Sequence, residues 1–139
     1  MIDQLTVFLG NEKGRLTALC DTLGGAGIQM HALAVADTAE YGIVRIICDA
    51  PQDAVDALTA KGFRASLAKV LAVQVPDVPG GAAQVFDVLE KADASIEYAY
   101  CFTSSVGAAT LALKTDADVK EAIEAAGFHL IYAKDLYAA

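Results

Sequence analysis

Leu9-Gly10-Asn11-Glu12-Lys13-Gly14-Arg15-Leu16 is the stretch on which the reading of this chain turns. Before it, Leu5, Val7 and Leu9 alternate with their neighbours, as on a half-buried strand over residues 3–9. After it, Leu16, Leu19, Cys20 and Leu23 fall at i, i+3, i+4 and i+7, one stripe of a helix running from Gly14 to Ala26. A strand that turns on Gly10 and Gly14 into a helix leaves backbone N–H groups, from Glu12 to Leu16, without intrahelical partners. Those donors stand at the positive end of the helix dipole, where a carboxylate or phosphate is favoured. Asn11 adds a side chain that both donates and accepts. A purely structural reading stays open, in which Asn11 is a helix cap or a turn residue.

Outward from that turn, the chain states the same pattern twice. Gly24, Gly25 and Gly27 close the helix, and residues 28–36 read as a second strand. Asp37-Thr38-Ala39-Glu40 makes a polar turn into Tyr41–Cys48, a near-continuous apolar run with Arg45 inside it, read as a central strand. Pro51 opens a second helix with Val55 and Leu58 on its buried face, Gly62 caps it, and residues 63–67 form a fourth strand. At an offset of 66, Leu5-Thr6-Val7 lies over Leu71-Ala72-Val73, and Asn11-Glu12-Lys13-Gly14 over Asp77-Val78-Pro79-Gly80. Past the central hairpin the offset becomes 65, with Gly42 over Gly107 and Gly62-Phe63 over Gly127-Phe128. This is an internal duplication, with a single deletion predicted in the hairpin turn. No Pro/Gly/Ser linker separates the copies, so two domains are expected at 1–68 and 69–139, packed together because each alone has a marginal core.

Bulk properties exclude several classes of function. With 10 Lys plus Arg against 18 Asp plus Glu, the net charge of −8 repels a phosphate backbone, so nucleic acid is not an expected partner. No apolar run is long enough for a membrane span, and residues 1–4 carry no secretory pattern. Cys20, Cys48 and Cys101 are too few and too scattered for a disulfide framework, and fit a cytoplasmic setting. His31 and His129 lack further ligands at zinc-like spacing, so neither a metal nor another cofactor is expected. No base–nucleophile pair is visible, which makes a small enzyme the weakest of the readings.

The β-α-β-β-α-β order, with a first loop of Asn-x-x-Gly-x-Leu form (Asn11, Gly14, Leu16), resembles the ACT domain. This small-molecule-sensing module is attached to many enzymes of amino-acid metabolism. The resemblance covers the whole chain as two ACT-like units with no catalytic domain. It implies an α+β fold of two ferredoxin-like units, each an antiparallel sheet with helices on one face. It also implies a free amino acid as ligand, bound between the first loop of one domain and the second strand of a neighbour. A homodimer or higher homo-oligomer follows from that geometry, with a separate metabolic enzyme or regulator to read the signal. The second loop, Asp77-Val78-Pro79-Gly80, departs from the family pattern by Asp for Asn and by Ala82 at the Leu position.

Within that frame the chemistry can be assigned residue by residue. The loop from Leu9 through Gly10, Asn11, Glu12, Lys13, Gly14 and Arg15 to Leu16 would hold a ligand carboxylate on its N–H groups. Asn11, or the carboxylate of Asp77, would take the ammonium. Gly14 and Gly80 serve either the turn or close approach of the ligand to the backbone. The ligand's side chain would be read by the neighbouring second strand, and these differ: Ala32-Leu33-Ala34-Val35-Ala36 in the first copy, and Tyr98-Ala99-Tyr100-Cys101-Phe102 in the second, where Tyr98, Tyr100, Cys101 and Phe102 are the candidate contacts. Period 2 puts Tyr98, Tyr100 and Phe102 on one face, either to stack on a ligand or to cement a contact. Cys101 is expected to be a buried, inert thiol, and His31 and Glu97 to occupy matching exposed positions. A structural or oligomerisation adaptor that binds no small molecule is the rival reading.

Overall fold

The computed structural model describes residues 1–10, 12–37, 41–103 and 109–136; Asn11 and Gly107 lie outside them. The chain divides into two compact units, Asp3–Ala68 and Lys69–Ala139, the latter joined by Met1–Ile2.

In the first unit, β1 (Ile2–Gly10) turns Leu5, Val7 and Leu9 to one face and Gln4, Thr6 and Phe8 to the other. Helix α1 (Arg15–Gly25) buries Leu19 and Leu23 on the first face, whereas Leu16, on the same stripe, is 38% exposed. Strands β2 (Met30–Asp37) and β3 (Tyr41–Cys48) form an antiparallel hairpin, and β3 lies antiparallel to β1. Helix α2 (Pro51–Ala60) begins on its proline, where the missing N–H costs nothing, and buries Ala54 and Leu58. With β4 (Arg64–Gln74) the strand order is β2-β3-β1-β4. The core is the seam between the helices and one face of the sheet, centred on Leu5, Val7, Leu23, Val44, Ile46 and Leu58.

The second unit repeats this plan. The later half of β4 pairs antiparallel with β6 (Ala109–Thr115) and with β7 (His129–Ile131), and β5 (Ile96–Thr103) pairs with β6. Helices α3 (Gly81–Lys91) and α4 (Lys120–Ala125) cover one face, burying Val85, Leu89 and Ile123 with Leu71, Val73 and Leu111. A last turn, α5 (Ala133–Leu136), is anchored by the fully buried Leu136. Each unit is thus a β-α-β-β-α-β, ferredoxin-like α+β fold with its helices on one side of an antiparallel sheet.

Two details of the repeat differ from the sequence reading. The fourth strand does not stop near Leu67: Arg64–Gln74 is one eleven-residue strand, because no Gly, Pro or Asn interrupts its apolar alternation. The hairpin of the second unit carries an insertion, not a deletion. Strand partners place Leu5 with Ile46 and Leu71 with Leu113, and Asp37 with Gly42 and Thr103 with Ala109. The structural counterpart of Gly42 is therefore Ala109, not Gly107. Two residues are then lost between β6 and α4, which has six residues against ten in α2. Matching glycines had masked this pair of compensating changes.

A β-bulge falls between Met30 and Ala32 and again between Ile96 and Tyr98, so His31 and Glu97 are equivalent bulged residues. Their environments differ. Glu97 is exposed, but His31 is largely buried, with Nε2 2.7 Å from Oδ1 of Asp49. The Asp49 N–H donates to the Gln29 carbonyl, as the Asp116 N–H donates to that of Ser95. Asp116 is thus tied to the start of β5, where its carboxylate also accepts the Ser95 N–H at 2.8 Å.

Candidate functional site

Both strand-to-helix turns are built on a glycine in the left-handed region: Gly14 at φ +90° before α1 and Gly80 at φ +83° before α3. These glycines hold the N-cap positions, so Asp77 is not the cap of α3, and among the described residues no side chain caps either helix. A Cβ on either would meet nothing within 4 Å, so the backbone conformation, not crowding within the chain, requires glycine. The N–H of Arg15 reaches the Glu12 carbonyl at 3.4 Å, and that of Gly81 donates to the Val78 carbonyl at 3.0 Å. The regular ladder starts with the Ala18 N–H on the Gly14 carbonyl. The N–H groups of Leu16 and Thr17 therefore belong to the uncapped first turn. Glu12, Lys13, Gly14 and Leu16 are exposed and Arg15 is half-buried; Asp77, Val78, Pro79 and Gly80 are all exposed.

Leu9 and Gly10 stand at the end of β1, and there the structure adds two residues that the sequence reading did not single out. Phe8, Leu9, Gly10 and Arg64 line a cleft of about 420 Å³. The Arg64 guanidinium lies over the Phe8 ring, 5.5 Å from its centroid, within cation–π range. One residue earlier, Phe63 is buried in the core with the Arg15 guanidinium 4.4 Å above its ring. The second unit has a matching cleft of about 330 Å³, lined by Gln74, Val75, Pro76, Gly127, Phe128 and His129. These residues stand where Phe8, Leu9, Gly10, Gly62, Phe63 and Arg64 do. The recurrent turn and Phe at 62–63 and 127–128 were the signal that could have pointed to this end of each unit.

On β5, Tyr98, Tyr100 and Phe102 lie opposite Lys114, Ala112 and Thr110, on the face away from the helices. They are half-buried, and the Tyr100 and Phe102 rings are tilted with centroids 6.5 Å apart. Cys101 sits on the other face, opposite Leu111, and does not share a surface with those rings. It is exposed, contrary to the sequence expectation, because β5 ends the strand order and α3 and α4 do not reach over it. Cys48 is the fully buried thiol, and burial followed by the neighbouring Asp49 charge pushes its pKa up to about 11. In a thiol titration with a chromogenic disulfide at pH 8, Cys101 is therefore expected to react first. Cys48 is expected to react only on unfolding. Rapid reaction at Cys48 in the folded protein would contradict the burial.

Among the described residues, no cluster of three His, Cys, Asp or Glu side chains is placed to hold a metal. No described helix is long and apolar enough to cross a membrane.

Residues 1–138 match the family model of the ACT domain pair, and the chain belongs to that family. A protein from Bacteroides thetaiotaomicron, BT0572, has a crystal structure similar over 99% of this chain and 96% of its own, with TM-score 0.89 and 32% identity. The ligand-free regulatory subunit of aspartate kinase from Thermus thermophilus matches over 90% and 92% of the two chains, at TM-score 0.64 and 19% identity. The same subunit from Thermus flavus matches over 89% and 88%, at TM-score 0.63 and 18% identity. At such identities the likeness to the kinase subunits is one of fold. No curated protein matches the chain.

Proposed function

We propose that this protein is a non-catalytic regulatory protein of the cytoplasm that binds a free amino acid at its ACT units. Ligand would change unit packing or oligomeric state, and a separate enzyme or regulator would read the change. The observation that carries this reading is the cleft of about 420 Å³ at the end of β1, which opens where the loop with the family's Asn-x-x-Gly-x-Leu pattern begins. The uncapped first turn of α1 offers N–H donors for a carboxylate. Asn11 and Asp77 are assigned to the ammonium, and the aromatic face of β5 to the side chain of a ligand or to a neighbouring domain. Regulation requires only that the ligand favour one arrangement over another.

Thermal unfolding with each of the twenty amino acids at millimolar concentration tests the reading. A ligand at a hundredfold its Kd is expected to add roughly 2.7 kcal/mol, about 5–10 °C in Tm for a chain of this size. Asn11→Ala is expected to weaken the response more than it lowers the unliganded Tm. A flat panel at saturating concentrations would remove the sensor reading.

One observation favours the adaptor alternative. On β2, Leu33 and Val35 share a face with Ile46 and Val44, yet they are 45% and 54% exposed. An edge strand with exposed apolar residues fits an interface between copies of the chain. A self-associating protein with a flat amino-acid panel would be that adaptor.

A further inference from the structure

The two clefts are the same feature of the fold with different linings. All three arginines of the chain, Arg15, Arg45 and Arg64, fall in the first unit, and residues 69–139 contain none. At the cleft position itself Arg64 is replaced by His129, Phe8 by Gln74, and Gly10 by Pro76. The first cleft therefore has a permanent cation seated on an aromatic ring; the second has an imidazole and no ring at the Phe8 position. Among the described residues, the rest of the lining is the apolar Phe8 and Leu9 with Gly10, and none of these is a carboxylate. In a chain of net charge −8, that guanidinium is the local source of positive potential an anion requires.

We infer that the first cleft is an anion subsite centred on Arg64, and that Arg64 makes the protein selective for a ligand whose side chain carries a second carboxylate. The α-carboxylate of a free amino acid is accompanied by its own ammonium, so a zwitterion gains little net attraction from a lone guanidinium. A side-chain carboxylate has no such companion. It also matches the planar fork of the guanidinium in a bidentate hydrogen bond. The second cleft is not another copy of this subsite. This inference rests on the amino-acid reading for the rest of the ligand, but the subsite has a probe of its own: succinate, which has two carboxylates and no ammonium.

Calorimetric titration of the wild type, Arg64→Gln and Arg64→Lys with aspartate, glutamate, asparagine, glutamine and succinate tests it. In the wild type the two acids are expected to bind about tenfold or more tighter than their amides, as a charge-assisted hydrogen bond implies. Succinate is expected to bind at one per chain. Arg64→Gln should bring acids and amides level and abolish succinate binding, while Arg64→Lys retains part of the preference. Arg64 is exposed, so Arg64→Gln should lose no more than its cation–π contact with Phe8, a few degrees in Tm, and all three proteins should stay folded at about 25 °C, which separates loss of the subsite from loss of the fold. Equal binding of acids and amides by the wild type, two succinates per chain, or a preference that survives Arg64→Gln would overturn the inference. If no amino acid binds but succinate does and Arg64→Gln removes it, the sensor reading fails and the subsite stands. If the amides bind and neither the acids nor succinate do, the subsite fails and the sensor reading stands.

Discussion

Gly81→Ala is expected to destabilise the protein by about 3 kcal/mol, the upper part of the range for overpacking, and to lower Tm by roughly 10 °C. Gly81 is the first residue of α3 and is buried, and a Cβ on it would stand 2.0 Å from the carbonyl oxygen of Pro76. That oxygen belongs to the backbone, so relief requires either the end of β4 or the start of α3 to move. Helix α3 carries Val85 and Leu89 into the core, so the displacement is felt there. Gly14→Ala is the informative comparison. Its Cβ meets no atom, but its φ of +90° is costly for any L side chain, so a loss of roughly 1–2 kcal/mol is expected. Urea unfolding should show both as shifts of midpoint at unchanged m-value. A Gly81→Ala protein as stable as Gly14→Ala would mean that the Pro76 carbonyl yields easily.

The same position shows how far the repeat was legible. Gly81 corresponds to Arg15, so one copy has no side chain where the other has its largest cation, and the sequence alone ranks neither. What could be read were features with local causes: alternation in β1, the stripe of α1, Pro51 at the start of α2, and the turn glycines. Chain length in the hairpins was not readable. An insertion in the second hairpin and a later loss of two residues nearly cancel, and matching glycines bridge the difference. Only hydrogen-bonded register separates Ala109 from Gly107 as the partner of Gly42 in the repeat, since a strand's period of 2 conceals an even slip.

Legibility of the site divides in the same way. Leu9 and Gly10 could be placed at a strand end, and Gly14 and Gly80 in a turn, because turn chemistry is local. Arg64 and Phe8 were missed because they are fifty-six residues apart and meet only through the strand order that sets β4 beside β1. In sequence, Arg64 is one more charged residue after a helix; in the fold it is the cation of a cleft. Cys101 was misjudged because aromatic neighbours in sequence look like a core, whereas on a strand they occupy the opposite face.

Leu58→Ala is expected to cost about 3 kcal/mol and roughly 10 °C in Tm, from lost burial and the cavity left behind. Leu58 is fully buried among Leu23, Ile46 and Phe63, in the last turn of α2. Its carbonyl also accepts the N–H groups of Lys61 at 3.1 Å and Phe63 at 3.0 Å, which turn the chain from α2 towards β4. Alanine keeps that carbonyl, so the turn that sets Phe63 in the core and Arg64 in the cleft survives while the packing does not. Leu58→Met, of nearly equal volume, should cost less than about 1.5 kcal/mol. Below the lowered Tm, Leu58→Ala is expected to bind succinate as the wild type does, whereas Arg64→Gln melts within a few degrees of the wild type and loses the binding. The two variants thus separate what holds the first unit together from what its cleft recognises. If Leu58→Ala abolished binding while still folded, the position of Arg64 would depend on the core behind it, not on the turn alone.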